Sequence, residues 1–175
     1  MPYLVTSGLR AGLLAASVLL AAACASAQNG APVNAPPGSY PPPLPPAVPG
    51  AAEIEAAVRA VLDAQVDAWN RGDIRGFMGG YARHDSLVFI SGGTLRRGWQ
   101  ENLYAYMRNY PDQAAMGTLS FEDVDVRPLT PEYALAYGIW RLRRAEDEPM
   151  GLFSLLFRNT DDGWKIIHDH TSAAP

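Results

Sequence analysis

A proline-rich segment over residues 28–50 sets the limits of any compact fold in this chain of 175 residues. Nine of its 23 positions are proline, including the run Pro41-Pro42-Pro43. Because proline lacks a backbone N–H and fixes φ, the segment favours extended polyproline II structure and cannot join a sheet. We therefore predict a semi-rigid linker here, with the folded domain confined to residues 51–175.

The residues before the linker have the pattern of a bacterial export signal. Arg10 precedes an apolar run of thirteen residues, Ala11–Ala23, which is too short to span a bilayer but matches a signal-peptide core. Two processing sites remain open. Cleavage after Ala25-Ser26-Ala27 gives a signal peptide over residues 1–27 and a periplasmic protein. A lipobox-like pattern instead predicts a signal that ends at Ala23. Cys24 is then lipidated and anchors the protein to a membrane. Both alternatives place the protein outside the cytoplasm.

Composition excludes several classes of function. The net charge of −4 and the single cysteine argue against a nucleic-acid partner, a disulfide framework and a cysteine-based zinc site within one chain. His-x-His at residues 168–170 supplies only two ligands, fewer than zinc requires, so we predict neither a metal nor another cofactor. The hydrophobic fraction of 48% is that of an ordinary globular domain.

Apolar residues at three- and four-residue intervals after the linker predict an amphipathic first helix. Its apolar stripe consists of Ile54, Val58, Val61, Leu62, Val66 and Trp69. We predict a short second helix over Ile74–Tyr81 and a third over Trp99–Asn109. Between them lies a predicted hairpin, whose strands Ser86–Ser91 and Thr94–Arg97 meet at Gly92-Gly93.

Extended segments dominate the rest of the chain. We predict strands over Thr118–Val126, Tyr133–Arg144, Gly151–Arg158 and Trp164–Thr171. Since helices come first and strands mostly follow, this order predicts an α+β fold with an antiparallel sheet.

The last predicted strand carries the most recognisable pattern. The run Asp162–Ser172 resembles the closing strand of SnoaL-like proteins, which belong to the nuclear transport factor 2-like superfamily together with ketosteroid isomerase. Its spacing Trp-x-x-aliphatic-His-x-His-x-Ser also resembles the end of the association domain of calcium/calmodulin-dependent protein kinase II. The segments Trp69–Asp73, Leu95–Gly98 and Ala134–Tyr137 agree with the resemblance, which covers residues 53–172. It implies a cystatin-like, cone-shaped antiparallel sheet wrapped by about three helices, and a homodimer packed through the sheet.

The resemblance does not settle whether the domain is an enzyme. Ketosteroid isomerases carry a carboxylate base on the first long strand, whereas the matching run here, Val88–Ser91, has no acid. The candidate catalytic residues are instead His168 and His170, which we expect to share one strand face with Trp164 and Ile166. We favour a structural role for both histidines, and a general base is the alternative. Asp169 is expected on the opposite face, as a solvent or interface partner for an arginine.

The cone implied by the resemblance leaves a cavity for a small, largely apolar molecule. The predicted lining residues are Trp69, Tyr81, Phe89, Trp99, Tyr137, Ile139 and Leu155. Three functions remain open: ligand binding by an exported domain, an isomerase, cyclase or hydrolase-like enzyme with a pocket histidine as base, and a dimerisation module without a ligand.

Arginine is concentrated at two places in the sequence of the domain. Arg96-Arg97 and the group Arg141, Arg143 and Arg144 are the basic clusters. We expect them to be solvated or to pair with the acidic run Glu146-Asp147-Glu148.

Overall fold

The computed structural model describes residues 47–174. The predicted signal peptide, Cys24 and most of the predicted linker lie outside these residues. The described part of the chain has these helices: α1 Ala51–Asn70, α2 Ile74–Met78, α3 Trp99–Asn109 and α4 Gln113–Met116. Its strands are β1 Val88–Ser91, β2 Thr94–Arg97, β3 Thr118–Pro128, β4 Tyr133–Arg143, β5 Met150–Thr160 and β6 Gly163–Thr171. Over residues 47–174, no helix has the length and apolar character needed to cross a membrane.

The strands form one curved, open sheet in the order β2-β1-β6-β5-β4-β3. This confirms the predicted α+β class. The sheet is mixed, because β1 runs parallel to β6 while the other neighbouring strands are antiparallel. The parallel direction is already set before β1, where Tyr81 forms a parallel bridge with Ile166 and the Ala82 N–H donates to the Ile166 carbonyl at 2.9 Å.

The apolar stripe of α1 packs against the concave face of the sheet. Ile54, Val58, Leu62 and Trp69 are buried, and the polar Gln65 is buried beside them. At the end of α1, the Asn70 side chain exchanges hydrogen bonds of 3.1 and 2.8 Å with the backbone of Leu119 in β3. This pairing fixes the angle between the helix and the edge of the sheet.

The second helix is shorter than predicted. Asp73 caps its first turn by accepting from the Gly76 N–H at 2.8 Å, but the helix ends at Met78, ahead of Gly79-Gly80. Two consecutive glycines disfavour continued helix because they retain much conformational freedom in the unfolded chain. Tyr81 therefore leaves the helix and joins the sheet, where its side chain is 4% exposed.

A bulge in β6 changes which of its side chains face inward. Ile166 pairs with Phe157 and His168 pairs with Leu156, so Ile167 has no partner of its own on β5. An extra residue of this kind reverses the alternation of faces along a strand. Trp164 and Ile166 are buried before the bulge, and Asp169 is buried after it.

Candidate functional site

A cavity of about 140 Å³ lies between the helices and the concave face of the sheet. A cavity of about 150 Å³ accommodates benzene, so this one has room for a single small ring. Half of the residues that line it are aromatic: Trp69, Phe77, Tyr81, Phe89, Tyr106, Tyr110, Phe121, Trp140 and Phe153. Among the polar residues that also line it are Gln65, Arg96, Asn109, Asp169 and Thr171.

The aromatic wall is held by specific contacts. The Trp69 indole N–H donates to the Met116 carbonyl at 3.0 Å, which fixes the ring against α4. The Trp69 ring meets Phe77 and Tyr110 edge-on, at centroid distances of 5.0 and 4.8 Å. Edge-to-face pairs of this kind stabilise one arrangement of the rings and so give the cavity a defined shape.

Of the seven residues predicted from sequence to line the cavity, some do so in the structure and others do not. Four of them line it, namely Trp69, Tyr81, Phe89 and Leu155. Trp99 packs elsewhere, because its indole N–H donates to the Met78 carbonyl at 2.9 Å and the Arg83 guanidinium covers its ring. Tyr137 and Ile139 lie on the outer face of the sheet, since the neighbouring positions Ala136 and Trp140 of β4 face inward.

Asp169 is the carboxyl group of the cavity wall. Its neighbours across the sheet are Phe89 in β1 and Leu155 in β5, and only 3% of its surface is exposed. The Tyr81 hydroxyl donates to one carboxyl oxygen at 2.8 Å, and the Thr171 hydroxyl donates to the other at 2.6 Å. A buried carboxyl is thus held in one orientation by two hydroxyl groups.

Burial between apolar neighbours raises the pKa of Asp169 to about 6, against the opposing effects of the Thr171 and Tyr81 hydrogen bonds and the nearby His170. Burial likewise raises the pKa of Tyr81 and Tyr106 well above the ordinary tyrosine value. Near neutral pH this cluster therefore combines a carboxyl group that can take up or release a proton with two neutral phenols that can donate hydrogen bonds.

The two histidines predicted to be catalytic do not line the cavity. The bulge at Ile167 puts them on the other face of β6 from Trp164 and Ile166, so the predicted facing is wrong. His170 is exposed and pairs with Ser154, and His168 is partly exposed and pairs with Leu156. Within residues 47–174, no three histidine, cysteine or acidic side chains cluster as metal ligands would.

Sequence reasoning missed the role of Asp169 because strict alternation placed it on the outer face. The prediction that it pairs with an arginine is also wrong, since its partners are Tyr81 and Thr171. The adjacent aliphatic residues Ile166-Ile167 are the one trace of the bulge in the sequence. Both suit a half-buried strand, so they do not by themselves reveal a change of face.

The curved sheet, the covering helices and the cavity between them define a cystatin-like, nuclear transport factor 2-like domain. Residues 58–175 match the model of the SnoaL-like domain, and the chain belongs to this family. No curated protein matches the chain.

Solved structures agree with the family assignment. A nuclear transport factor 2-like protein of unknown function from Shewanella oneidensis MR-1 is 40% identical, with 67% of this chain and 98% of that chain covered and a TM-score of 0.65. A domain of unknown function with a cystatin-like fold from Nostoc punctiforme is 25% identical, with 70% and 78% covered and a TM-score of 0.60. A ketosteroid isomerase-like protein from Erwinia carotovora atroseptica shares the fold at 20% identity, with 69% and 96% covered and a TM-score of 0.55.

The pKa of Asp169 predicts a specific dependence of stability on pH. An aspartate in the unfolded chain has a pKa near 3.9, so between about pH 4 and 6 the folded state binds more protons than the unfolded state. The stability contributed by the protonated carboxyl is fully present below about pH 4 and is lost as pH rises through about 6. As the pH rises from about 4 to 7, the unfolding free energy of wild type should therefore fall by about 3 kcal/mol relative to that of Asp169→Asn.

Urea unfolding at a series of pH values measures this difference. Asp161→Asn is the matched control, because Asp161 is exposed in the turn between β5 and β6. Its difference from wild type should not vary with pH. A flat difference for Asp169→Asn would contradict the expected protonation of the buried carboxyl.

Proposed function

We propose that the cavity binds a small, largely apolar molecule and that Asp169 transfers a proton to or from it. The observation that carries this proposal is the carboxyl group of Asp169 in an aromatic cavity wall, 3% exposed and held by Tyr81 and Thr171. Burying a carboxyl among apolar groups costs free energy, and perturbed carboxyls in cavities are typical of acid–base sites.

The reaction class that suits this cluster is proton abstraction from a carbon next to a carbonyl group. The Asp169 carboxylate takes the proton, the C–H electron pair moves toward the carbonyl, and the carbonyl oxygen gains negative charge. The Tyr106 phenol stabilises that oxygen by donating a hydrogen bond, since the Tyr81 hydroxyl already donates to Asp169. Asp169 then returns the proton to the same or a neighbouring carbon, which restores both groups.

Asp169 also provides a carboxyl group close to the place where β1 lacks one. In the resemblance to ketosteroid isomerases, the base belongs on the strand that here contains Phe89. Asp169 is the direct neighbour of Phe89 in the adjoining strand β6. A carboxyl therefore reaches the cavity from the next strand, which supports acid–base chemistry without the family's usual placement of the base.

We further propose a homodimer packed through the outer face of the sheet. Leu152 projects from this face with 61% of its surface exposed, opposite Ile139 in β4. Tyr137, Leu156 and His168 lie on the same face, partly exposed. An apolar surface at the middle strands of a sheet is best covered by a second apolar sheet, and a second copy supplies one through a two-fold axis.

We also propose that the protein is exported, either to the periplasm or as a lipoprotein anchored through Cys24. The support is in the sequence: the short apolar run Ala11–Ala23, followed by two alternative processing sites. A proline-rich spacer after the signal would hold the domain away from a membrane in the anchored form.

Deuterium exchange tests the proton-transfer proposal. We expect protein expressed from the full-length sequence to accelerate exchange of the α-protons of 2-cyclohexenone in D₂O, followed by proton NMR. Asp169→Asn should slow this exchange by about 100-fold or more, because it removes the base. His170→Gln should slow it far less than Asp169→Asn does, because that imidazole lies on the other face of β6 and acts only through its effect on the pKa of Asp169.

Loss of exchange in His170→Gln, or full activity in Asp169→Asn, would overturn the assignment of the base. Binding of the ketone without any exchange, measured by tryptophan fluorescence, would leave ligand binding as the function and remove the chemical step. Circular dichroism checks that each variant is folded.

Sedimentation equilibrium tests the dimer. Leu152→Glu should convert the dimer to a monomer, because a charge would be buried in the apolar contact. Leu129→Glu is the matched control, since Leu129 is 50% exposed but lies outside β3 and β4, in the segment that connects them. A monomeric wild type, or equal effects of the two variants, would contradict the proposed interface.

Cell fractionation with mass spectrometry distinguishes the two forms of export. A lipoprotein should appear in the membrane fraction with a lipid mass on Cys24, and Cys24→Ala should release it. A soluble periplasmic product that starts at Gln28 should be unaffected by Cys24→Ala. Retention of the intact chain in the cytoplasm would overturn export.

A further inference from the structure

Arg96 reaches the cavity from the edge of the sheet. It lies in β2 directly opposite Phe89 in β1, so both side chains project from the same face of the hairpin. The Arg96 guanidinium lies 5.5 Å from the centroid of the Phe89 ring, and both residues line the cavity. Its neighbours Leu95 and Arg97 alternate to the other face and are exposed.

The Arg96 side chain has an unsatisfied donor. Its Nε is completely buried and has no hydrogen-bond partner within residues 47–174. The other basic cluster is different, because Arg141, Arg143 and Arg144 pair with carboxylates at 2.9, 3.4 and 2.6 Å. The expected pairing with the acidic run is confirmed for that cluster, at Asp147 and Glu148, and does not extend to Arg96.

The carboxyl group of Asp169 does not pair with the Arg96 guanidinium. Asp169 is the carboxyl among the described lining residues, and both of its oxygens accept from hydroxyl groups, those of Tyr81 and Thr171. A buried guanidinium N–H without an acceptor costs free energy, and the face of Phe89 offsets only part of that cost. The cavity thus holds a cationic donor whose natural complement is an anion.

We propose that Arg96 binds the carboxylate of the cavity's ligand, which makes the ligand class a small apolar carboxylic acid. This inference rests on the proposed function of the cavity. A guanidinium presents paired N–H donors in a plane, the geometry that matches the two oxygens of a carboxylate. The aromatic walls and the volume of about 140 Å³ suit a single ring or a short branched chain as the rest of the molecule.

This arrangement separates recognition from chemistry. Arg96 in β2 would hold the charged end of the molecule, while Asp169 in β6 faces its apolar body. The two groups act on different atoms of the ligand, so removal of one should leave the contribution of the other measurable.

A pair of probes that differ in charge tests the proposal. Benzoate and benzyl alcohol have the same ring and nearly the same size, and calorimetry at pH 7 measures their binding to protein expressed from the full-length sequence. Wild type should bind benzoate at least about 10-fold more tightly, because only benzoate can pair with the guanidinium. Arg96→Gln should weaken benzoate binding by about 10- to 100-fold and leave benzyl alcohol within about twofold.

Arg97→Gln is the matched control, because this arginine is next in the chain but exposed on the other face of β2. It should change neither affinity. Arg96→Lys, which keeps the charge but loses the planar fork, should give an intermediate affinity for benzoate. The comparison of the two probes on wild type requires no variant and so stands even if the Arg96 variants do not fold.

Each contrary outcome has a definite meaning. Equal binding of benzoate and benzyl alcohol to wild type, or equal effects of Arg96→Gln and Arg97→Gln, would overturn the carboxylate site while leaving the cavity's proposed function intact. Failure of both probes to bind would overturn this inference, and if 2-cyclohexenone also neither bound nor exchanged, the proposed function would be overturned with it. Tighter binding of phenyl phosphate than of benzoate would overturn the assignment to a carboxylic acid.

Discussion

The bulge at Ile167 determines which side chains of β6 enter the cavity, and the character of the site depends on it. Before the bulge, Trp164 and Ile166 contribute to the core; after it, Asp169 and Thr171 face inward and the histidines face outward. A strand without the extra residue would present imidazoles to the same aromatic surroundings. The choice between imidazole and carboxyl chemistry is therefore made by backbone geometry as much as by residue type.

Asp169 can be buried because several elements cooperate to supply its hydrogen bonds. Tyr81 reaches the carboxyl only because α2 ends at Met78 and the chain then pairs with β6. Gly80 permits this route, since a Cβ there would lie 2.7 Å from the amide carbon of Gln65. Gln65 is itself fixed by donating to the Phe77 carbonyl at 3.0 Å. The position of the Asp169 carboxyl thus depends on a series of packing contacts that begins in α1.

Patterning predicted the elements better than their arrangement. The stripe of α1, the hairpin at Gly92-Gly93 and the four long strands follow from local periodicity, and the structure has all of them. The parallel pairing of β1 with β6 depends on the path of the chain between the two strands. An alternating pattern of apolar residues contains no information about that path. The facing of Asp169 depends on an insertion between two aliphatic residues that suit either face. Trp99 is an aromatic residue in a helix and satisfies every local rule for a cavity residue, but its hydrogen bond to Met78 holds it elsewhere.

The hairpin of β1 and β2 lies at the edge of the sheet, where only β1 is joined to β6. Its turn is exposed, but the positive φ of Gly92 (54°) and Gly93 (75°) strains any other residue there, although a Cβ would have no heavy atom within 4 Å. Asp169, in contrast, lies on a strand paired on both sides. Substitutions in β2, the outer strand of the hairpin, therefore do not alter a direct neighbour of the strand that bears the acid. On the proposed function, ligand preference can diverge at β2 within a lineage of such domains while the acid on β6 is inherited unchanged.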